Sequence, residues 1–153
     1  MKISVFILFS MLFISQLTIA QTTRINTFDQ LMESLNTGEQ VRVVIHYALC
    51  KWATDKIEQK PTPNAITGMD IDTYEYFAPG VVYNKEAFMV FSDTKLIQNP
   101  IGKGMVYNYG KIRIYADNSV QVTAEYLNPK SYKVLMHQVF KGKINEGINI
   151  FKQ

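Results

Sequence analysis

The alternation of apolar and polar residues divides the chain into one helical segment followed by a long strand-like region. Residues 27–38 carry apolar side chains at the spacing of one helix face: Phe28, Leu31, Met32 and Leu35. Thr27 with Gln30 three residues later forms a capping-box sequence, and Gly38 stands where a helix commonly ends. The pattern predicts an amphipathic helix that packs its apolar face on a larger element.

From residue 41 onward, the apolar residues recur at every second position, which is typical of β-strands. Residues 41–50 predict a strand with Val41, Val43, Ile45, Tyr47 and Leu49 on one face. Further strands are predicted at 66–77, 80–83, 87–91, 105–109, 111–115, 120–126, 132–140 and 144–151, the last broken by a turn. The Ala-Asp-Asn-Ser sequence at 116–119 favours a hairpin turn, because Asp and Asn tolerate positive φ.

One helix followed by roughly eight evenly spaced short strands predicts a mainly β protein. We expect an antiparallel meander curled into a barrel or folded into a sandwich, with the N-terminal helix packed on it. The pattern does not distinguish the barrel from the sandwich.

The N-terminal segment is typical of a signal peptide. Residues 1–20 contain Lys2, an apolar stretch over residues 3–14, and the small residues Thr18 and Ala20 before a cleavage position. This stretch is shorter than the roughly 20 residues of a membrane span, and no later segment is comparably apolar. We therefore expect residues 21–153 to form a single β-rich domain without a membrane span, in a periplasmic or secreted protein.

Charge adds one restriction on partners. The chain has 16 Lys and Arg against 13 Asp and Glu, with the two signs interspersed along the sequence. A nucleic-acid partner usually requires clustered basic residues. We therefore expect no nucleic acid as a partner.

Cys50 is the one cysteine of the chain. A catalytic thiol requires a histidine base within hydrogen-bond reach, and the chain offers His46 and His137. On a continuous strand, His46 would lie about 13 Å from Cys50, and His137 could approach only through tertiary pairing. These residues also lack the close spacing of a metal site. We favour a buried free thiol, while an intermolecular disulfide and a catalytic thiol stay open.

The acidic segment 70–75 suggests two kinds of site. Asp70, Asp72 and Glu75 resemble part of a calcium loop, but Glu75 stands where such a loop requires glycine. Asp70 and Asp72 on one strand face would also have the roughly 7 Å spacing of an acid/base pair. We favour the exposed face of an edge strand, and we expect no metal, no cofactor and no catalytic residue.

Tyrosine is abundant, with nine residues in the chain. The tyrosines on predicted strands that matter here are Tyr74, Tyr76, Tyr107, Tyr109, Tyr115 and Tyr126. They could line a cavity for an apolar ligand, or they could pack their rings and expose their hydroxyl groups. Packing or a partner surface is favoured over a ligand pocket.

Four segments share their order with a known protein family. They read FDQLMESLNTGEQVRVVIHYALC (28–50), ITGMDIDTYEY (66–76), AFMVFSDTKL (87–96) and YGKIRIYADNSVQV (109–122). A helix ending in glycine, a Tyr-x-x-Cys step, a phenylalanine-serine step and a hairpin follow in this order, which resembles the VirK family of small exported bacterial proteins. The resemblance implies that Tyr47 and Cys50 are structural marks of the family. His46 departs from the aspartate expected before that tyrosine, so no acidic role is assigned there.

The resemblance implies an accessory role without a known reaction. The family is named for bacterial virulence loci, and its members look like exported proteins without an established enzymatic activity. We therefore expect a non-enzymatic accessory protein, related to virulence or host association, that binds a protein or envelope partner. The alternative is a barrel-type carrier of a small apolar ligand.

Overall fold

The computed structural model describes residues 22–53 and 61–153. The predicted signal peptide at 1–20 lies outside the described residues. Among these residues, ten strands form one sheet that curls into an open half-barrel, with one α-helix packed on it. The prediction of a mainly β fold with an N-terminal helix is confirmed.

Helix α1 spans Phe28–Asn36 and has the predicted caps. The Thr27 hydroxyl accepts a hydrogen bond from the Gln30 backbone N–H at 3.3 Å, and the Gln30 side chain accepts one from the Asn26 N–H at 2.9 Å. Gly38 follows the helix with φ 78°, a conformation that glycine adopts without a Cβ clash. The predicted helix face is in the core or packed against it: Phe28, Leu31, Leu35 and Met32.

Five consecutive strands form the larger part of the sheet as an antiparallel meander. They are β5 (Glu75–Phe77), β6 (Phe88–Gln98), β7 (Met105–Tyr115), β8 (Ser119–Leu127) and β9 (Val134–Ile144). Buried residues of neighbouring strands lie side by side in the register of the sheet. For example, Ile112 lies beside Val122, and Val122 lies beside Phe140. This face is the concave side of the half-barrel, and the opposite side is convex.

The remaining strands cover one end of the concave side. Strand β10 (Gly147–Lys152) lies between β1 (Thr23–Ile25) and β2 (Val41–His46) and is antiparallel to both. Strand β4 (Ile66–Asp70) pairs with the other side of β2. Within the described residues, β4 and β5 are the two edges of the sheet.

Several predicted strands have the wrong extent. The segments predicted at 105–109 and 111–115 form one strand, β7, and the strand predicted at 87–91 continues to Gln98 as β6. The strand at 41–50 ends at His46, because Tyr47–Leu49 forms a 3₁₀ turn closed by a hydrogen bond from the Cys50 N–H to the Tyr47 carbonyl. Residues Lys51–Trp52 then form β3, which pairs with β9. The strand predicted at 66–77 is two strands, β4 and β5, on opposite edges of the sheet. Between them, burial of Ile71 in the core redirects the chain.

The strand predicted at 80–83 is a loop. Asn84 holds this loop with its side chain, which donates to the Ala78 and Glu86 carbonyls at 2.9 and 2.7 Å and accepts from the Val82 N–H at 3.1 Å. Tyr83 has φ 61°, which is incompatible with a strand. The apolar composition of the segment therefore reflects exposed loop residues and not a buried strand.

The corner between β9 and β10 depends on close packing around Cys50. A Cβ at Gly147 would lie 3.0 Å from the Cys50 sulfur and 3.2 Å from the Leu49 backbone, and a Cβ at Gly142 would lie 3.4 Å from the same sulfur. Gly147 also has φ 86°. Glycine is thus required at residue 147 for both its conformation and its lack of a side chain.

We expect Gly147→Ala to lower the free energy of unfolding by about 3 kcal/mol, from left-handed strain and overpacking together. Gly38→Ala is the matched control, because Gly38 has a similar φ of 78° but a Cβ added there would meet nothing within 4 Å. The control should lose only about 1 kcal/mol. Urea denaturation measures both, and equal losses would contradict the packing argument.

Candidate functional site

The open end of the half-barrel contains a groove on the concave side. Its volume is about 370 Å³, and it lies between edge strand β4 and the long strands β7, β8 and β9. Apolar and aromatic side chains form most of its wall, with two amides among them: Tyr47, Ile66, Tyr126, Met136, Phe140, Asn108 and Gln138. We call this feature the open groove.

Three aromatic rings pack at the base of the open groove. The Phe140 ring centroid lies 4.7 Å from that of Tyr47 and 4.7 Å from that of Trp52. The 3₁₀ turn after β2 places Tyr47 over Phe140, and β3 places Trp52 on the other side. Aromatic packing of this kind gives the groove a firm apolar floor.

Burial changes the acidity of Tyr47. It raises the pKa of the Tyr47 hydroxyl to about 12, with smaller contributions from neighbouring Cys50 and Tyr126. At neutral pH the hydroxyl is therefore protonated and can donate a hydrogen bond to a bound group. Tyr47 can recognise an acceptor but is a poor base.

Cys50 lies in the core, at the corner described above. Its thiol donates to the His46 carbonyl oxygen at a sulfur–oxygen distance of 3.5 Å, and burial raises its pKa. A nucleophilic cysteine requires a lowered pKa, so this environment is that of a structural thiol. Because the strand ends at His46, Cys50 lies closer to His46 than it would on a continuous strand. The Cys50 thiol nevertheless contacts the backbone carbonyl of His46 and not its imidazole ring.

His137 lies on the convex side, away from the core thiol. Its Nδ1 is 2.6 Å from the Glu125 carboxylate, directly across from it on β8. Within residues 22–53 and 61–153, no group of three His, Cys, Asp or Glu side chains is arranged to hold a metal ion.

The acidic segment is divided between the two sheet edges. Asp70 is exposed on edge strand β4 and accepts a hydrogen bond from Arg42 at 2.7 Å, while Glu75 is on β5. Asp72 follows the end of β4 and borders a surface cavity of about 530 Å³ together with Asp70. The exposed edge-strand interpretation of Asp70 agrees with this geometry.

The predicted tyrosines do not converge on one cavity. Tyr126 lines the open groove, whereas Tyr107 stacks on Tyr132 with ring centroids 6.1 Å apart, and Tyr115 packs at 5.9 Å from Phe88. Tyr47, which the sequence marks only as a structural residue, contributes more to the groove. Its ring lies on the floor of the groove, 4.7 Å from that of Phe140.

The chain that forms this helix, turn and sheet is similar to known proteins. The family description "VirK protein" matches residues 24–132. The chain belongs to the VirK family.

A solved VirK structure also has this fold. The crystal structure of lpg1832, a VirK family protein from Legionella pneumophila, aligns with a TM-score of 0.67 at 19% sequence identity. The alignment covers 84% of this chain and 98% of that chain. Among curated proteins, no sequence matches this one. The expected family is therefore confirmed, and the solved structure supports the fold alone.

The convex side of this VirK chain carries an alignment of cations that the sequence analysis did not find. The register places Lys51 beside Lys141 on β9, and Lys141 and Arg113 both beside Gln121 on β8. Lys111 lies two residues from Arg113 on the same side of β7. We call Lys51, Lys111, Arg113 and Lys141 the basic face. In the sequence, the signal for the basic face is the Lys-x-Arg pattern at residues 111–113 within a predicted strand.

Within residues 22–53 and 61–153, the basic face has no compensating ion pair. Among the described residues, none of its four side chains is in a salt bridge. The Arg113 guanidinium lies 4.6 Å from the centre of the Phe88 ring, and its buried Nε has no hydrogen-bond partner within the described part of the chain.

The helical content of this VirK chain also bears on membranes. No helix among its described residues combines the length and apolarity that crossing a bilayer requires.

We expect Cys50 to resist a thiol reagent in the native VirK protein, because its sulfur is buried and its pKa is raised. Labelling should follow unfolding. A matched control is Leu49→Cys in the Cys50→Ala background, because Leu49 is exposed and adjacent. The control should label rapidly, whereas rapid labelling of native Cys50 would contradict its burial. Mass spectrometry measures both rates.

We expect the protein to lose stability as the pH rises from about 10 to about 12. The unfolded chain can ionise Tyr47 near its usual pKa of 10.0, while the folded chain resists ionisation to about 12. The contribution of protonated Tyr47 to the free energy of unfolding is fully present below pH 10, is lost by about pH 12, and is of order 2 kcal/mol. Tyr47→Phe should reduce this alkaline loss, and Tyr76→Phe, at an exposed ring, should not. Denaturant titrations across this pH range measure the difference.

Proposed function

We propose that this VirK protein is an exported, non-enzymatic accessory module that binds an extended apolar segment of a partner polypeptide in the open groove. The observation that carries the proposal is the position of the groove beside an edge strand. Strand β4 contributes Ile66 and Thr67 to the groove wall. A peptide in the groove would therefore meet both an apolar floor and a strand edge.

The edge of β4 offers backbone groups for pairing. β4 pairs with β2 on one side, and no strand of the described residues pairs with its other side. An extended peptide can add to such an edge through main-chain hydrogen bonds, while pockets receive its alternate side chains. The side chain of Ile66 is 65% exposed, which is unfavourable in water and favourable beneath a peptide.

The groove wall suits a peptide better than a uniformly apolar ligand. Tyr126, Met136 and Phe140 provide apolar contact, while the amides of Asn108 and Gln138 can donate to and accept from a peptide backbone. Protonated Tyr47 adds a donor near the floor. An apolar surface with a few placed polar groups is the usual composition of a binding site.

The proposal of a non-enzymatic protein rests on the surroundings of Cys50 and His137, the candidate nucleophile and base. The raised pKa of Cys50 disfavours its thiolate, and His137 is engaged with Glu125 on the convex side. The exported part rests on the signal-peptide pattern of residues 1–20. A role in virulence or host association rests on family membership alone.

A small apolar ligand is the second candidate, and the volume of the open groove favours it. About 370 Å³ lies within the range of roughly 300 to 1,000 Å³ that small-molecule sites occupy. Native mass spectrometry of gently purified protein separates the two functions. A bound mass of a few hundred daltons supports the carrier, and the bare chain mass opposes it.

We expect a displayed peptide library to yield extended, apolar-alternating sequences that bind the purified protein. Ile66→Lys should weaken the best peptide by about tenfold or more, because lysine blocks pairing at a strand edge. Leu49→Lys is the matched control, since Leu49 is 68% exposed and lies outside the lining of the open groove. Its affinity should be unchanged.

Hydrogen exchange provides a second measurement on the same complex. Peptide binding should slow exchange of backbone amides in residues 66–70 more than in the exposed loop at 78–86. Equal weakening by the two lysine variants, or unchanged exchange at β4, would contradict groove binding.

A further inference from the structure

The loop between β5 and β6 exposes three consecutive apolar side chains. Val81, Val82 and Tyr83 are all exposed, and Tyr83 has no measurable burial. We call these three residues the apolar tip. Single exposed apolar side chains are ordinary, but a contiguous group on one loop marks an interaction site more often.

Hydrogen bonds within the loop hold the apolar tip outward. The Gly80 N–H donates to the Asn84 carbonyl at 2.8 Å, and the Asn84 side chain bonds to the backbone of Ala78, Val82 and Glu86. Tyr83 adopts φ 61°, a costly conformation for a residue other than glycine. The loop thus has a defined shape that keeps Val81 and Tyr83 largely in solvent.

The apolar tip lies beside the basic face. Val82 shares the lining of a hollow of about 640 Å³ with Lys111 and Arg113. Lys141 is two strands farther across the convex side, at roughly 10 Å from Arg113 by strand spacing. Glu75 is the acidic side chain on this hollow, and it lies at the sheet edge.

We propose that the convex side docks on an anionic phospholipid bilayer, with the apolar tip inserted among the lipids and the basic face on their phosphates. This site is separate from the open groove, so it goes beyond the proposed function. The combination of apolar side chains with neighbouring cations is the physical requirement for reversible binding at a bilayer interface.

The shape of the apolar tip favours lipid over an acidic protein. Val81, Val82 and Tyr83 project from the end of a loop and are exposed to solvent. Such a projection enters a fluid layer without a matching pocket, whereas a protein partner requires a complementary cavity. The cations of the basic face, which form no salt bridge within the described part of the chain, favour a negatively charged lipid in particular.

Vesicle co-sedimentation tests the proposal. We expect the purified protein to bind vesicles of equal parts phosphatidylcholine and phosphatidylglycerol, and to bind pure phosphatidylcholine at least tenfold more weakly. Binding should weaken as salt increases, because screening reduces attraction to the headgroups. Every variant is prepared with the same N-terminus, so that differences arise from the substitutions alone.

Charge variants test the basic face. The double variant Lys51→Gln with Lys141→Gln removes two exposed cations, and each should contribute roughly fivefold to affinity. Lys130→Gln with Lys133→Gln is the matched control, at exposed lysines of the β8–β9 turn. Glu75→Gln should strengthen binding, because it removes the carboxylate beside the hollow.

Tip variants test insertion. Val81→Ser with Tyr83→Asn should reduce binding about tenfold without loss of stability, since asparagine tolerates positive φ. Ile101→Ser is the matched control at another exposed apolar residue, in the β6–β7 turn. In the Tyr83→Trp variant, the added fluorescence should shift to shorter wavelength on phosphatidylglycerol vesicles.

Three results would overturn the proposal. One is equal binding to both kinds of vesicle, and another is unchanged affinity in both double variants. The third is a combination of two observations: the protein binds polyglutamate as tightly as vesicles, and the fluorescence of the Tyr83→Trp variant does not shift on vesicles. That combination would assign the basic face to an acidic protein.

Discussion

The half-barrel depends on the absence of a side chain at Gly147. The sulfur of Cys50 occupies space 3.0 Å from where a Cβ at that residue would stand. With glycine there, the chain can leave β9, turn sharply and enter β10 between β1 and β2. The same contact fixes the 3₁₀ turn that carries Tyr47, so the floor of the open groove and the corner of the sheet share one packing arrangement.

Much of the fold follows from local patterns in the sequence. The helix was predictable because Thr27, Gln30 and Gly38 are local signals that tertiary contacts do not override. The strand β8 was predictable because its apolar residues alternate over many positions, whereas β7 is one strand where two were predicted. The extent of β2 was not predictable, since the turn at Tyr47 arises from burial of Cys50 against glycines that come much later in the sequence.

The sites were less predictable than the fold. Val81, Val82 and Tyr83 have the composition of a strand, but hydrogen bonds of the Asn84 side chain and of the local backbone hold them in a loop. The basic face combines lysines and an arginine from three strands, so interspersed charges along the chain become neighbours only through strand register. A VirK family protein with 19% sequence identity adopts the same fold, with a TM-score of 0.67.

The position of β10 has a consequence for biosynthesis. This strand lies between β1 and β2, which come much earlier in the chain. Until the ribosome has added residues 147–152, neither early strand has its central neighbour. Pairings between distant parts of a chain form late. The pairings of β1 and β2 with β10 can therefore form only after residues 147–152 have been synthesised, whereas β2 can pair with β4 earlier.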